Sequence, residues 1–258
     1  MDKSLARIAR NWTAWGDKDP LFAVLSDDHH KGNLWDVDEF FATGRHEIDE
    51  VLEELQVLGV TPPKGSALDF GCGVGRLTQA LGDHFESCVG VDIAPSMIER
   101  ATGFNRHGGR CEYVVNASPD LSMFADETFD FVYSNIVLQH MPSDLSTGYM
   151  REFVRVLRPS GVAVFTCPSR PRAEPGSKEQ VRRAAKEAVR LVANAAGRIV
   201  STTPFPRMDM HCVPQENVED LLRRSGAALV EARVIPWGEP IWVTVKYTAQ
   251  APARATPA

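Results

Sequence analysis

The sequence predicts an α/β fold, a mostly parallel sheet with helices on both faces, from three observations. Ser66, Ala67 and Leu68 are small and apolar residues that lead through Asp69-Phe70 into Gly71-x-Gly73-x-Gly75. The chain then continues into Leu77-Thr78-Gln79-Ala80-Leu81 at helical spacing, so the stretch reads as strand, tight turn, helix. From Ser66 onward strand and helix patterns alternate, the order that produces a parallel sheet with crossover helices. A second apolar run, Ser87 to Ile93, ends in Asp92 about twenty residues after the first turn, the spacing of a sheet that binds a ligand across its strand ends.

The composition bounds the rest. A chain of 258 residues with 43% apolar and 24% charged residues is long enough for one large domain with an insertion. Its net charge of −6 argues against nucleic acid as the main partner, since that binding rests on neutralising phosphates. Cys72, Cys88, Cys111, Cys167 and Cys212 are scattered and lack C-x-x-C spacing, so neither a disulfide framework nor a zinc site is expected, and no metal is assigned. The N-terminus has no apolar signal-like core and no segment reaches membrane-spanning length, so the expected place is the cytoplasm, without stable membrane insertion.

Residues 1 to 60 read as a helical cap followed by a first helix that packs on the sheet. Trp12, Trp15, Phe22, Trp35, Phe40 and Phe41 alternate with turn signals, and Ile48, Val51, Leu52, Leu55 and Leu58 then fall at helical spacing before Pro62-Pro63. The aromatic residues either line an acceptor pocket or anchor the cap to the core. His29-His30 with Asp27-Asp28 reads as a solvated loop, because adjacent residues rarely converge on one ion.

The glycine turn presents free N–H groups at a helix N-terminus, which suits electron-rich ligand atoms. A dinucleotide motif needs glycine where this chain has Arg76, and Asp69 would repel a pyrophosphate while it can hold a cationic amino group. Asp92, at the end of the second strand, lies where a ribose would sit, and its carboxylate can accept from both vicinal hydroxyls. Pro95 opens the next helix, which carries Met97. Cys111 to Asn116 is a third strand, and the alternating apolar run that opens Phe129 to Pro142 is a fourth, leading through Asn135 to Gln139-His140-Met141-Pro142. A helix follows to Arg158-Pro159-Ser160-Gly161, and Val162 to Cys167 is a fifth strand.

Ala-Leu-Asp-Phe-Gly-Cys-Gly-Val-Gly-Arg resembles the first motif of class I S-adenosylmethionine (SAM) dependent methyltransferases. With the strand, polar turn, helix and Arg-Pro-x-Gly that follow, residues 65 to 168 look like the type 11, small-molecule branch of that family. The resemblance implies a Rossmann-like sheet of seven strands, the last antiparallel, and SAM as cofactor. It carries the cofactor-binding role onto Asp69, Gly71, Gly73, Asp92, Ile93, Met97, Asn116, Ala117, Ser118 and Asn135. Relatives place an Asp where this chain has Ala117; adenine would instead be read by the Ser118 N–H or the Asn116 side chain, between Ile93 and Leu121, at a loss of roughly 0.5–1.5 kcal/mol.

Residues 170–212 depart from the minimal fold as an inserted, lid-like segment, with an amphipathic helix from Lys178 to Ala196. Its stretch Arg170–Arg198 holds eight basic and three acidic residues, about +5, read as a solvated helix face over an anionic acceptor or membrane surface. A last helix near Pro214–Leu222 and two strands complete residues 61–250 as the SAM-binding domain, and 251–258 reads as a flexible tail. The expected activity is methyl transfer from SAM to a small-molecule acceptor, most simply a hydroxyl, with N- or C-methylation, or an inactive SAM-binding module serving a partner, as alternatives. His140 and then His211 are the candidate bases, with Asp209 able to orient either.

Overall fold

The computed structural model describes residues 3–171, 206, 208–236 and 242–254. The expected helix at Lys178–Ala196 lies outside the described residues.

The elements run α1 Lys3–Lys18, α2 Pro20–Val24, α3 Val37–Val57, β1 Ser66–Phe70, α4 Arg76–Gly82, β2 Ser87–Asp92, α5 Pro95–Phe104, β3 Cys111–Val115, β4 Phe129–Ser134, α6 Ser143–Val156, β5 Leu157–Pro171, α7 Gln215–Arg224, β6 Ala228–Ile235 and β7 Trp242–Gln250. They build a seven-stranded sheet in the order β3-β2-β1-β4-β5-β7-β6. β1 pairs in parallel with both β2 and β4, while β7 runs antiparallel to β5 and β6. The chain therefore reverses its winding direction between β1 and β4, and a crevice opens beyond their C-terminal ends.

Alternation along the strands divides the core into two layers. Leu68, Phe70, Val132 and Phe165 face α6 and α7, where they meet Phe153, Val218 and Leu222. Ala67, Phe131, Tyr133 and Val164 face the other way, onto Ile48, Val51 and Leu55 of α3 and Leu77 and Leu81 of α4. α3 is longer than the apolar spacing alone indicates: Asp36 caps it by accepting from the Glu39 N–H at 2.9 Å, so the helix begins eleven residues before Ile48. A third cluster joins Trp15, Phe22, Phe40 and Phe41 of the cap to Val74, Ala94 and Met97 of the core.

Two expectations are corrected. Arg158-Pro159-Ser160-Gly161 does not end the preceding helix, because α6 stops at Val156 and β5 already begins at Leu157. Nor is the tail frayed where it is described. Ala251 is 6% exposed and donates its N–H to the Gly161 carbonyl at 2.9 Å, and Arg254 pairs with Glu127 at 2.7 Å. His30 stacks on Trp35 with ring centroids 3.7 Å apart and bonds Asp27, which fixes that loop against the cap. Among the described residues no helix is long and apolar enough to cross a membrane, and no cluster of His, Cys, Asp or Glu is arranged to hold a metal ion.

Candidate functional site

A cavity lies in the crevice where the winding reverses. Its floor follows the strand ends: Asn116 after β3, Asp92 and Ile93 at β2, Phe70 and Gly71 at β1, Asn135 and Ile136 after β4. Leu5, Ile8 and Trp12 of α1 cover it, with Val24 beside them, and the turn after β4 and the start of α6 supply Val137, His140, Met141 and Leu145. Of the cap aromatics, Trp12 lines the cavity, while Phe40 and Phe41 are anchors in the third cluster.

The glycine turn is built for close approach. Gly71 and Gly73 have φ of +77° and +53°, where a side chain is strained, and a Cβ on Gly71 would lie 2.4 Å from Val137. Asp92 ties this turn to β2, its Oδ2 accepting from the Gly73 N–H at 2.9 Å and its Oδ1 from the Ala94 N–H at 2.8 Å. Each oxygen keeps a further lone pair, so the carboxylate can still receive two hydroxyls. Burial raises the Asp92 pKa above the ordinary carboxylate value, and the backbone N–H groups of Ala94, Gly73 and Ile93 pull it back.

Asp69 is not where the sequence placed it. As the residue before the last on β1 it points, like Ala67, to the sheet face under α4, and its Oδ2 accepts from the Thr78 hydroxyl at 2.6 Å. It is 1% exposed and does not line the cavity. Burial pushes its carboxyl up to about 7, against the opposing pull of the Thr78 bond and the Arg76 charge.

The β3 end also differs in detail. Asn116 lines the cavity, but its amide closes its own turn: Nδ2 donates to the Asp120 carbonyl at 3.0 Å and Oδ1 accepts from the Ser118 N–H at 3.1 Å. The Ser118 N–H assigned to adenine is thus already used. Ser118 and Ala117 do not line the cavity, and Leu121 is buried in the layer beneath. Ile93 and Met97 do line it, leaving an apolar slot there, and Tyr149, which donates to the Ser118 carbonyl at 2.5 Å, closes the same side.

After β4, His140 borders the cavity and sits edge-on to Trp12, with ring centroids 4.9 Å apart. Its Nδ1 lies 2.9 Å from the carbonyl oxygen of Asp209; a carbonyl only accepts, so Nδ1 carries the hydrogen and Nε2 is left as the basic nitrogen. Burial lowers its pKa to about 4, so the ring is neutral near pH 7. Asp209 does orient His140, though through its backbone; its carboxylate faces Arg7 at 3.7 Å. His211 does not line the cavity. Its N–H donates to the Gln139 carbonyl at 2.7 Å and its Nε2 is buried without a partner among the described residues, so its part is to dock residues 208–213 onto the turn.

One group was missed in the sequence. Glu47 of α3 accepts from Arg76, Tyr133 and Asn135 at 2.7, 2.9 and 2.7 Å. An acid on an amphipathic helix carries no signal by itself. The nearest clue is Gly44, a helix-interior glycine one turn earlier, whose added Cβ would stand 2.5 Å from the Arg76 carbonyl.

Residues 68–165 match the family model described as "Methyltransferase domain". Over 160 residues the chain is 28% identical to 2-methyl-6-phytyl-1,4-hydroquinone methyltransferase of Synechocystis sp., a match that takes in 61% of this chain and 49% of that protein. It is 34% identical over 134 residues to a malonyl-[acyl-carrier protein] O-methyltransferase of Halorhodospira halophila, 50% of this chain and 42% of that one. The chain thus spans about half the length of these curated relatives. Among solved structures, the magnesium protoporphyrin IX methyltransferase of Synechocystis with bound S-adenosylhomocysteine (SAH) superposes with a TM-score of 0.60 at 16% identity, covering 97% of this chain and all of that one, a likeness of fold.

Proposed function

We propose that this chain, a class I SAM-dependent methyltransferase by family, transfers the methyl group of SAM to a hydroxyl of a small molecule held under α1. The observation that carries this is the meeting of two halves in one cavity: the Asp92–glycine turn at β1 and β2, and a neutral histidine after β4.

The residues suit the cofactor. Asp92 offers two acceptor oxygens to a ribose diol, Gly71 and Gly73 leave open the space that side chains would fill, and Ile93 and Met97 form an apolar slot for a base. When bound, SAM supplies a methyl group already activated by its cationic sulfur. The protein must therefore hold the acceptor in line, exclude water and remove the acceptor's proton. Leu5, Ile8 and Trp12 exclude water, and Trp12 holds the His140 ring from the side. With Nδ1 committed to Asp209, His140 presents Nε2 as the acceptor of a proton; the burial that keeps the ring neutral also weakens it as a base, so its role rests on its place on the cavity wall.

One relative is named an O-methyltransferase and another a sterol C-methyltransferase, so support for a hydroxyl acceptor comes from the histidine on the cavity wall rather than from the relatives. The test is incubation of the purified chain with methyl-labelled SAM and a panel of phenols, aliphatic alcohols, amines and carbon nucleophiles. Label on a hydroxyl, lowered about 10²–10⁴-fold in His140→Ala with SAM affinity retained, is the expected outcome. Label confined to nitrogen or carbon, with the variant fully active, removes the base role.

A further inference from the structure

On the methyltransferase assignment above, we propose that Glu47, on the cap helix α3, is a positioning residue for the amino-acid end of the bound cofactor, acting through Arg76 and Asn135.

The strand order sets the direction of the ligand. Neighbouring strands lie about 4.8 Å apart, so the cavity floor from β3 through β2 and β1 to β4 spans roughly 14 Å. With a ribose on Asp92 at β2, the base and the amino acid must go to opposite sides. The β3 side offers Ile93 and Met97, and an Asn116 amide spent on its own turn. Among the described residues, that side brings no cation to meet a carboxylate. On the β4 side Arg76 and Asn135 are among the residues that line the cavity, and Arg76 brings a cation there.

Neither of these groups is placed by its own backbone alone. The Arg76 side chain is 3% exposed, and its Nη2 is held by Glu47 Oε2 at 2.7 Å while Nη1 reaches Thr43 at 3.3 Å. Asn135 donates through Nδ2 to Glu47 Oε1 at 2.7 Å and accepts at Oδ1 from the Thr166 hydroxyl at 2.8 Å. The amide orientation is therefore fixed at both ends. Thr166 in turn accepts from the Ile136 N–H at 3.1 Å, which holds Ile136 at φ 62°, a costly conformation for a β-branched residue. The missing Cβ of Gly44 lets α3 approach α4 closely enough for Glu47, one turn on, to reach all three donors. One carboxylate from the cap thus compensates a buried cation and sets an amide on the same wall.

The experiment measures two probes on the full chain: SAH, which has the amino-acid end, and adenosine, which lacks it. Affinities are taken by calorimetry or chemical-shift titration, with circular dichroism as the folding check. Glu47→Ala is expected to weaken SAH by about tenfold or more and adenosine by less than threefold. Glu47→Gln keeps an oxygen for Tyr133 and Asn135 but turns an amide toward Arg76, and should fall between. Equal losses for both probes, or a folded Glu47→Ala with unchanged SAH affinity, would overturn the positioning role and leave Glu47 a structural ion pair. If Glu47→Ala does not fold, the SAH-to-adenosine ratio in Glu47→Gln decides: a shift of threefold or more upholds the role and no shift overturns it. A wild-type chain that binds neither probe removes the methyltransferase assignment itself, and with it this role.

Discussion

Replacing Asp92 by Ala tests the cofactor half of the site. The carboxylate accepts one backbone N–H on each oxygen, from Gly73 at 2.9 Å and Ala94 at 2.8 Å, and has one lone pair per oxygen left for a vicinal diol. A hydrogen bond to a charged acceptor contributes about 1.5–3 kcal/mol, so two ribose hydroxyls amount to about 3–6 kcal/mol. The lower figure applies here, because burial already raises the Asp92 pKa and its removal relieves that desolvation. About 3 kcal/mol is roughly a hundredfold in SAH affinity. Asp92→Asn keeps the shape but turns an NH₂ group toward one of the two backbone donors, so it should lose affinity as well. Calorimetric titration of SAH into wild type and both variants reads the effect, with thermal unfolding run alongside, since two backbone N–H groups lose their acceptor in the Ala variant. A folded Asp92→Ala that binds SAH within threefold of wild type would mean that the ribose sits elsewhere.

Three further outcomes follow from the geometry. Gly71→Ala should destabilise the chain by about 1–3 kcal/mol in urea unfolding, since its φ is +77° and the new Cβ would lie 2.4 Å from Val137; a loss under 0.5 kcal/mol would contradict the tight turn. Because α1 covers the cavity, SAH should slow hydrogen exchange in Lys3–Lys18 and leave Gln215–Arg224 unchanged, whereas equal protection of both would argue against a roof. The native state disfavours protonated His140, with a pKa near 4 against about 6.5 unfolded, so the unfolded chain binds more protons between those values. Stability then falls as pH drops from 6.5 to 4, by up to about 3 kcal/mol. Asp69, raised to about 7, has the opposite sign, its share being lost as pH rises from about 4 to 7; the His140 share is therefore read as the difference between wild type and His140→Gln, and identical pH profiles would refute it.

The sheet was legible because periodicity reports which face of a strand is buried, and a strand, a glycine turn and an acid at the next strand end fix topology and crevice together. Asp92, Ile93, Met97, Gly71 and Asn135 were found on the cavity for that reason. Asp69 was misplaced by the same logic applied one step too coarsely. A position near a strand end was taken for the end itself, although the alternation that buries Leu68 and Phe70 on one face must turn Asp69 to the other, under Thr78.

The contacts that the sequence could not reveal are those in which one residue's role depends on a neighbour far along the chain. The Ser118 N–H is taken by Asn116, and His140 keeps Nε2 as its basic nitrogen because the Asp209 carbonyl, sixty-nine residues on, occupies Nδ1. Glu47 matters through three donors from α4, β4 and the turn after it. In each case the residue type allowed several roles, and the partner's hydrogen-bonding capacity selects one. A carbonyl can only accept, so it fixes a tautomer; an amide N–H donates once, so its first partner excludes a second. That rule of single occupancy, applied to the cavity wall, separates the groups already committed from Asp92, whose two oxygens each accept one backbone N–H and keep a further lone pair.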